Sequence, residues 1–181
     1  MSANRDSVEL IRSFANTLDV EDGSDQMEHA VTFTAWLVEQ GLVDPGARAT
    51  SADLDLALRL RSAIRGALSA HHERVDDPAS QAALRDVVAE LPLRLDPAAD
   101  GAFGLVPVDR GVRGAIAHVV AAIARAASGG EWDRLKLCPA DDCAWAFYDE
   151  SKNRSRRWCS MEVCGNLSKT RSYRQRTTVP D

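Results

Sequence analysis

Cysteine is missing from the first 137 residues of this 181-residue chain, and all four cysteines fall between 138 and 164. The long first part therefore has no disulfides and must hold its fold by an apolar core. Histidine is scarce as well. The only four, His29, His71, His72 and His118, show no metal-ligand spacing with a cysteine or with one another. The sequence also lacks a phosphate-binding glycine loop, a nucleophile elbow and a His-Glu-x-x-His helix, so the chain is not expected to be an enzyme. No apolar run approaches the ~18 residues that span a bilayer, which argues against a membrane partner. The first residues carry no apolar stretch behind a basic end. A cytoplasmic location is the expectation.

What is present suits a folded protein. Hydrophobic residues make up 45% and charged residues 27% of a 19.7 kDa chain, enough for a core and too apolar for disorder. The net charge of −5 hides an asymmetry: residues 1–149 carry 14 basic against 24 acidic side chains, and residues 150–181 carry 8 against 3. An acidic body with a basic end is the charge layout of a nucleic-acid contact attached to something else.

Helical periodicity dominates residues 1–130. Met27, Ala30, Val31, Thr34, Leu37 and Val38 recur at helical spacing over 26–40, with Asp25 and Glu28 as a capping pair and Gly41 as the stop. Trp36 reads as core or interface. A second helix opens at Thr50 with Asp53 and carries Leu56, Leu60, Ala63, Ile64, Ala67 and Leu68. His71 and His72 read as its C-terminal caps. A third helix starts at Pro78 and is stopped by Pro92. Alternating stretches on either side of 97–101 predict a hairpin, and 8–14 fits a strand or a helix. The helical period returns from Gly111 to Ser128. The predicted fold class is α+β: a mostly α-helical body over 1–130 with a small β-sheet, and a separate module over 131–181.

The module is Cys138-x4-Cys143-x15-Cys159-x4-Cys164. Two close pairs separated by a loop read as a four-thiolate Zn²⁺ site rather than disulfides in a reducing compartment. The alternative is four free or redox-active thiols. A proline-containing turn links the first pair, strands are expected at 145–147 and 156–159, and Cys164 is placed in the first turn of a helix reaching about 176. Turn, hairpin and helix with the last ligand at its start is the treble-clef layout. Four thiolates leave no open coordination position, so the zinc would be structural. On the final helix Lys169, Tyr173 and Arg176 share a face, beside Arg171 and Arg174. With Arg154, Arg156 and Arg157 they form a basic surface suited to phosphate contact. The competing use of these arginines is to balance the thiolates and the acidic body.

Several segments resemble a known family. Cys138-x4-Cys143, the run from Phe147 to Met161 (Phe-Tyr-Asp-x-Ser-Lys-Asn-Arg-Ser-Arg-Arg-Trp-Cys-Ser-Met), and Cys164-Gly165-Asn166 followed by Lys169 resemble the CGNR zinc finger. Phe14-Ala-Asn-Thr-Leu, Trp36-Leu-Val-Glu-Gln-Gly-Leu and Leu58-Arg-Leu-Arg are similar to the ABATE body that accompanies it. The resemblance implies a stress-induced transcription regulator in which the four cysteines hold zinc. It also implies DNA contact by Arg156, Arg157, Lys169, Arg171, Arg174 and Arg176. The chain departs from the family at Leu167, where the name-giving motif has arginine, and leucine supplies no charge. The body is expected to serve dimerisation, sensing of a small-molecule effector, or both, because a single finger offers few base contacts. The alternative is a zinc-stabilised module that meets a protein partner, and RNA is a further possible ligand.

Overall fold

The computed structural model describes residues 3–97 and 103–166. Five α-helices form the body: α1 (Ala3–Ala15), α2 (Ala30–Glu39), α3 (Ser51–Glu73), α4 (Pro78–Ala89) and α5 (Gly111–Ser128). Three separate two-stranded antiparallel ribbons accompany them: β1 (Leu18–Asp19) with β2 (Ser24–Asp25), β3 (Leu93–Pro97) with β4 (Phe103–Pro107), and β5 (Leu135–Leu137) with β6 (Ala146–Tyr148). Among the described residues no helix is long and apolar enough to cross a membrane.

The choice left open for residues 8–14 is resolved as helix. Ser7, Val8, Ile11, Phe14 and Ala15 are the buried positions, a period of three to four rather than two. That face lies on α5, while α3 packs on α4 and on β5. Ile11, Phe14, Phe33, Leu37, Leu56, Leu60, Ile64, Leu68 and Ile116 are fully buried in one apolar cluster. Trp36 belongs to the same core, edge-on to Phe14 at 5.7 Å and stacked on Phe33 at 6.4 Å.

Two starts follow their sequence signals. Thr50 Oγ1 accepts from the Asp53 N–H at 3.1 Å while the Asp53 carboxylate accepts from the Thr50 N–H at 2.9 Å, a reciprocal cap on α3. Asp77 accepts from the N–H groups of Ala79 and Ser80 and caps α4. The predicted hairpin is present, with Leu95 opposite Leu105 and Pro97 opposite Phe103.

Two ends differ from expectation. α2 begins at Ala30, not near Gln26, because the Asp25 carboxylate is drawn elsewhere. It accepts from the Met27 N–H at 2.7 Å and from both terminal nitrogens of Arg61 at 2.5 and 2.8 Å. His29 and Thr32 form the cap instead. At the far end of α3, Arg74 adopts the left-handed conformation at φ 58° and closes the helix through Ala70. His71 instead reaches across to bond the Leu135 carbonyl at 3.0 Å through Nδ1.

The Arg61–Asp25 pair anchors the β1–β2 ribbon to the middle of α3, with Arg61 also donating to Thr17 Oγ1 at 3.1 Å. Burial alone would raise the Asp25 pKa, but the guanidinium and the Met27 N–H outweigh it and hold the carboxyl below its ordinary range. Arg61→Ala, which strands that carboxylate, is expected to lower stability by about 3 kcal/mol in urea unfolding.

Candidate metal centre and its basic surround

The β5–β6 ribbon pairs Leu135 with Tyr148, Lys136 with Phe147 and Leu137 with Ala146. The pairing continues through the Cys138 N–H, which donates to the Trp145 carbonyl at 2.9 Å. Between the strands the chain closes a tight turn: the N–H groups of Cys143 and Ala144 both donate to the Ala140 carbonyl, at 2.9 and 3.0 Å. Ala144 takes φ 48° to complete it. The turn points the sulfurs of Cys138 and Cys143 to one side. Residues 156–159, expected as a strand beside β6, are not one: β6 pairs with β5, and Arg156 gives its N–H to the Asp149 carboxylate and its carbonyl to Lys136 Nζ.

Cys159 and Cys164 flank Ser160, which starts a wide helical turn, Met161–Gly165. Ser160 Oγ accepts from the Val163 N–H at 3.3 Å, and its carbonyl accepts from the Gly165 N–H at 3.1 Å. A Cβ at Gly165 would meet Met161 Sδ at 2.9 Å and Trp158 Cδ1 at 3.3 Å, so glycine lets the turn lie against that ring. Asn166 Nδ2 donates to the Glu162 carbonyl at 3.0 Å.

The four sulfurs all lie within 4.8 Å of one another, with Cys143 to Cys159 at 3.5 Å and Cys159 to Cys164 at 3.6 Å. A tetrahedral ion with bonds of about 2.3 Å to sulfur has edges of roughly 3.8 Å. The cluster fits such an ion, and the four cysteines are unpaired as disulfides. Cys138, Cys143 and Cys164 are buried. Without a cation the group is electrostatically frustrated. Burial, then the facing sulfurs of Cys143 and Cys164, push the Cys159 thiol up, and burial chiefly pushes Cys164 up to about 11. At Cys138 burial opposes the thiolate, but backbone N–H groups of Cys159 and Ala140 outweigh it and lower the pKa. A metal here would displace protons, so occupancy falls as pH falls.

The segment leading to Cys159 is held by an ion pair that the sequence reading missed. Lys136 Nζ donates to the Asp149 carboxylate at 2.6 Å, with 4% and 0% of the two side chains exposed. The ammonium also donates to the carbonyls of Arg154 at 2.7 Å and Arg156 at 3.2 Å. The carboxylate accepts from the N–H groups of Ser151 and Arg156 and from Ser151 Oγ. Burial opposes the Asp149 charge, yet Lys136 and Ser151 hold the carboxyl down at about 2. Lysine between two leucines in a strand normally reads as solvent-facing. Here both faces are covered, and the loop carbonyls replace water.

The predicted DNA-contact residues separate into three groups. Arg156 is exposed but engaged: it donates to the carbonyls of Trp158, at 2.9 Å, and Cys159 and lies over the Phe147 ring at 5.3 Å. Arg154 sits 3.5 Å from Asp133. Arg157 is exposed, with no ion-pair or hydrogen-bond partner among the described residues. Lys169, Arg171, Tyr173, Arg174 and Arg176, together with Leu167, lie outside the described residues.

The ribbon is tied into the body. Leu135 and Ala146 belong to the main apolar cluster. Asn16 brackets Ala146, donating to its carbonyl at 2.9 Å and accepting from its N–H at 2.7 Å. Lys136→Met would leave the Asp149 carboxylate buried without its cation. A loss of about 3–5 kcal/mol is expected, read as a lower denaturation midpoint with the metal-loaded protein.

Comparison with known proteins follows the same division. Residues 9–131 match the ABATE family model, described as "Putative stress-induced transcription regulator", and residues 134–177 match the CGNR zinc finger. No curated protein matches the chain. The first match covers more than half of the sequence, and the second coincides with the sulfur cluster and its supporting loop. The chain belongs to the ABATE family and carries a C-terminal CGNR zinc finger.

Proposed function

We propose that this protein is a DNA-binding transcription regulator whose finger is built on one structural zinc ion. Cys138, Cys143, Cys159 and Cys164 would hold it, and the ion would supply a cross-link between the β5–β6 turn and the turn that opens the C-terminal segment. The observation that carries the reading is the convergence of four sulfurs within 4.8 Å, two of them from the most basic part of the chain. Residues 150–181 carry 8 basic against 3 acidic side chains. With four thiolates filling the zinc coordination sphere, the metal serves architecture rather than catalysis, and the protein works by binding.

Within the described residues Arg157 is the side chain best placed for phosphate contact, and the basic residues from Lys169 to Arg176 would extend the contact along the DNA. Arg156 has a different role in this scheme. Its bonds to the carbonyls of Trp158 and Cys159 brace the metal turn from outside, so its charge also moderates the thiolates.

Zinc-loaded protein should bind duplex DNA with an affinity that falls steeply with salt. Arg157→Ala should weaken binding across sequences and lower the salt slope by about 1. Arg156→Ala should instead lower metal retention. Absence of any nucleic-acid binding at ~50 mM salt, with zinc content confirmed, would overturn the reading in favour of a protein-interaction module.

The body would pair two fingers. Leu95, Phe103 and Leu105 lie on one face of the β3–β4 ribbon and are 63%, 68% and 38% exposed. This exposed apolar ribbon face offers a second copy an apolar contact, while the Arg94–Asp96 ion pair lies on the opposite face of the ribbon. In sedimentation at tens of micromolar the protein is expected to be a dimer and Phe103→Glu a monomer.

A further inference from the structure

Three hollows among the described residues differ in charge. One of about 530 Å³ between α1 and α5 has Arg5, Arg125 and His118 set against Asp6 and Glu9, so its charges cancel. Another, of about 620 Å³ between α3 and α4, has its Arg59 engaged by both carboxylate oxygens of Glu90. A third, of about 500 Å³, lies where the last turn of α3 meets the finger loop and is lined by His72, Arg74, Arg154, Ser155, Arg156 and Arg157 among others. Glu73 is the one carboxylate in that lining.

In this third hollow Lys136 is paired with Asp149 and Arg154 faces Asp133, but the remaining cations have no carboxylate partner among the described residues. Arg74 spends hydrogen bonds on the carbonyls of Arg154, at 2.6 Å, and Asn153, at 3.5 Å, which fix the guanidinium without neutralising it. Among the described residues neither Arg74 nor Arg157 has a carboxylate partner. The C-terminal end of a helix ordinarily repels anions. At α3, however, the Ala70 carbonyl already accepts from the N–H groups of Arg74 and Val75. His72 adds the second observation. Its imidazole lines this hollow, while its Nδ1 is turned away from solvent and buried without a hydrogen-bond partner among the described residues. A buried polar atom left without a partner costs stability, and a turn of the imidazole toward a ligand in the hollow would supply one. Burial chiefly, and then the charges of Lys136 and Arg157, push the His72 pKa down.

We infer that this hollow between α3 and the finger loop binds a phosphate group, with Arg74 and Arg157 supplying charge and His72 Nδ1 a hydrogen bond. The body thereby contributes to anion recognition together with the finger, and occupancy links the two. A DNA backbone phosphate and the phosphate of a free small molecule share this chemistry. The inference does not require that the finger bind DNA.

The test uses the zinc-loaded full chain, titrated with inorganic phosphate and with pyrophosphate in calorimetry and thermal unfolding, against chloride at equal ionic strength. Saturable binding and a raised midpoint are expected with the phosphates alone. His72→Phe should leave zinc content intact and the ligand-free midpoint unchanged or higher, since no hydrogen bond is lost. It should weaken phosphate about tenfold, the loss of one charge-assisted hydrogen bond. Arg157→Gln should weaken it as well. If saturating phosphate then blocks DNA binding, the seat takes a backbone phosphate; if DNA and phosphate bind together, it takes a free phosphorylated compound. Phosphate binding by a protein that fails to bind DNA would uphold this site while removing the DNA reading. The inference is overturned if phosphate acts no differently from chloride, or if its effect survives both substitutions unchanged.

Discussion

Four sulfurs gathered within 4.8 Å impose the constraint from which the C-terminal architecture follows. As thiolates they repel one another in a partly buried site; as thiols they leave polarisable groups crowded without strong partners. The upward shifts at Cys159 and Cys164 express that conflict. A divalent cation resolves it, and the chain around the cluster is arranged for that resolution. A proline-containing turn sets one pair, a serine-capped turn sets the other, and glycine at 165 lets the second turn approach the Trp158 ring.

The sulfur cluster does not organise the finger alone. Lys136 and Asp149 form a second fixed point, with no water needed to satisfy either charge, since loop carbonyls and N–H groups occupy their remaining sites. This pair determines the path of the loop between β6 and Cys159. In a segment with so few large apolar side chains, a satisfied buried ion pair serves as a specific joint, whereas an unsatisfied one would be costly. The same ribbon is welded to the helices by Leu135 and Ala146 in the core, by Asn16 acting as a short strand toward Ala146, and by His71 on the Leu135 carbonyl. The finger thus meets the body through a shared core.

Much of the helical body was legible because amphipathic periodicity and caps are local. The α3 start at Thr50, the α4 start at Asp77 and the extent of α5 needed only neighbouring residues. The cluster of four cysteines was legible for a similar reason, since paired cysteine spacing encodes a turn geometry. Arg61 with Asp25 was not, because its partners stand 36 residues apart and the acidic residue was also a plausible cap. Lys136 carries no local sign of burial, since a lysine between two leucines ordinarily faces solvent. His72 looked like a helix cap, and its isolation became visible only once the finger loop was laid against it.

The sequence by itself determined where helices run, that four cysteines act together, and that positive charge collects at one end, because each depends on spacing or composition along the chain. Only the tertiary structure decided which strand pairs with β6 and which arginines are consumed by carbonyls. It also decided which polar atoms lose water. Those outcomes depend on desolvation and on contacts between segments far apart in the chain, and no local pattern records them.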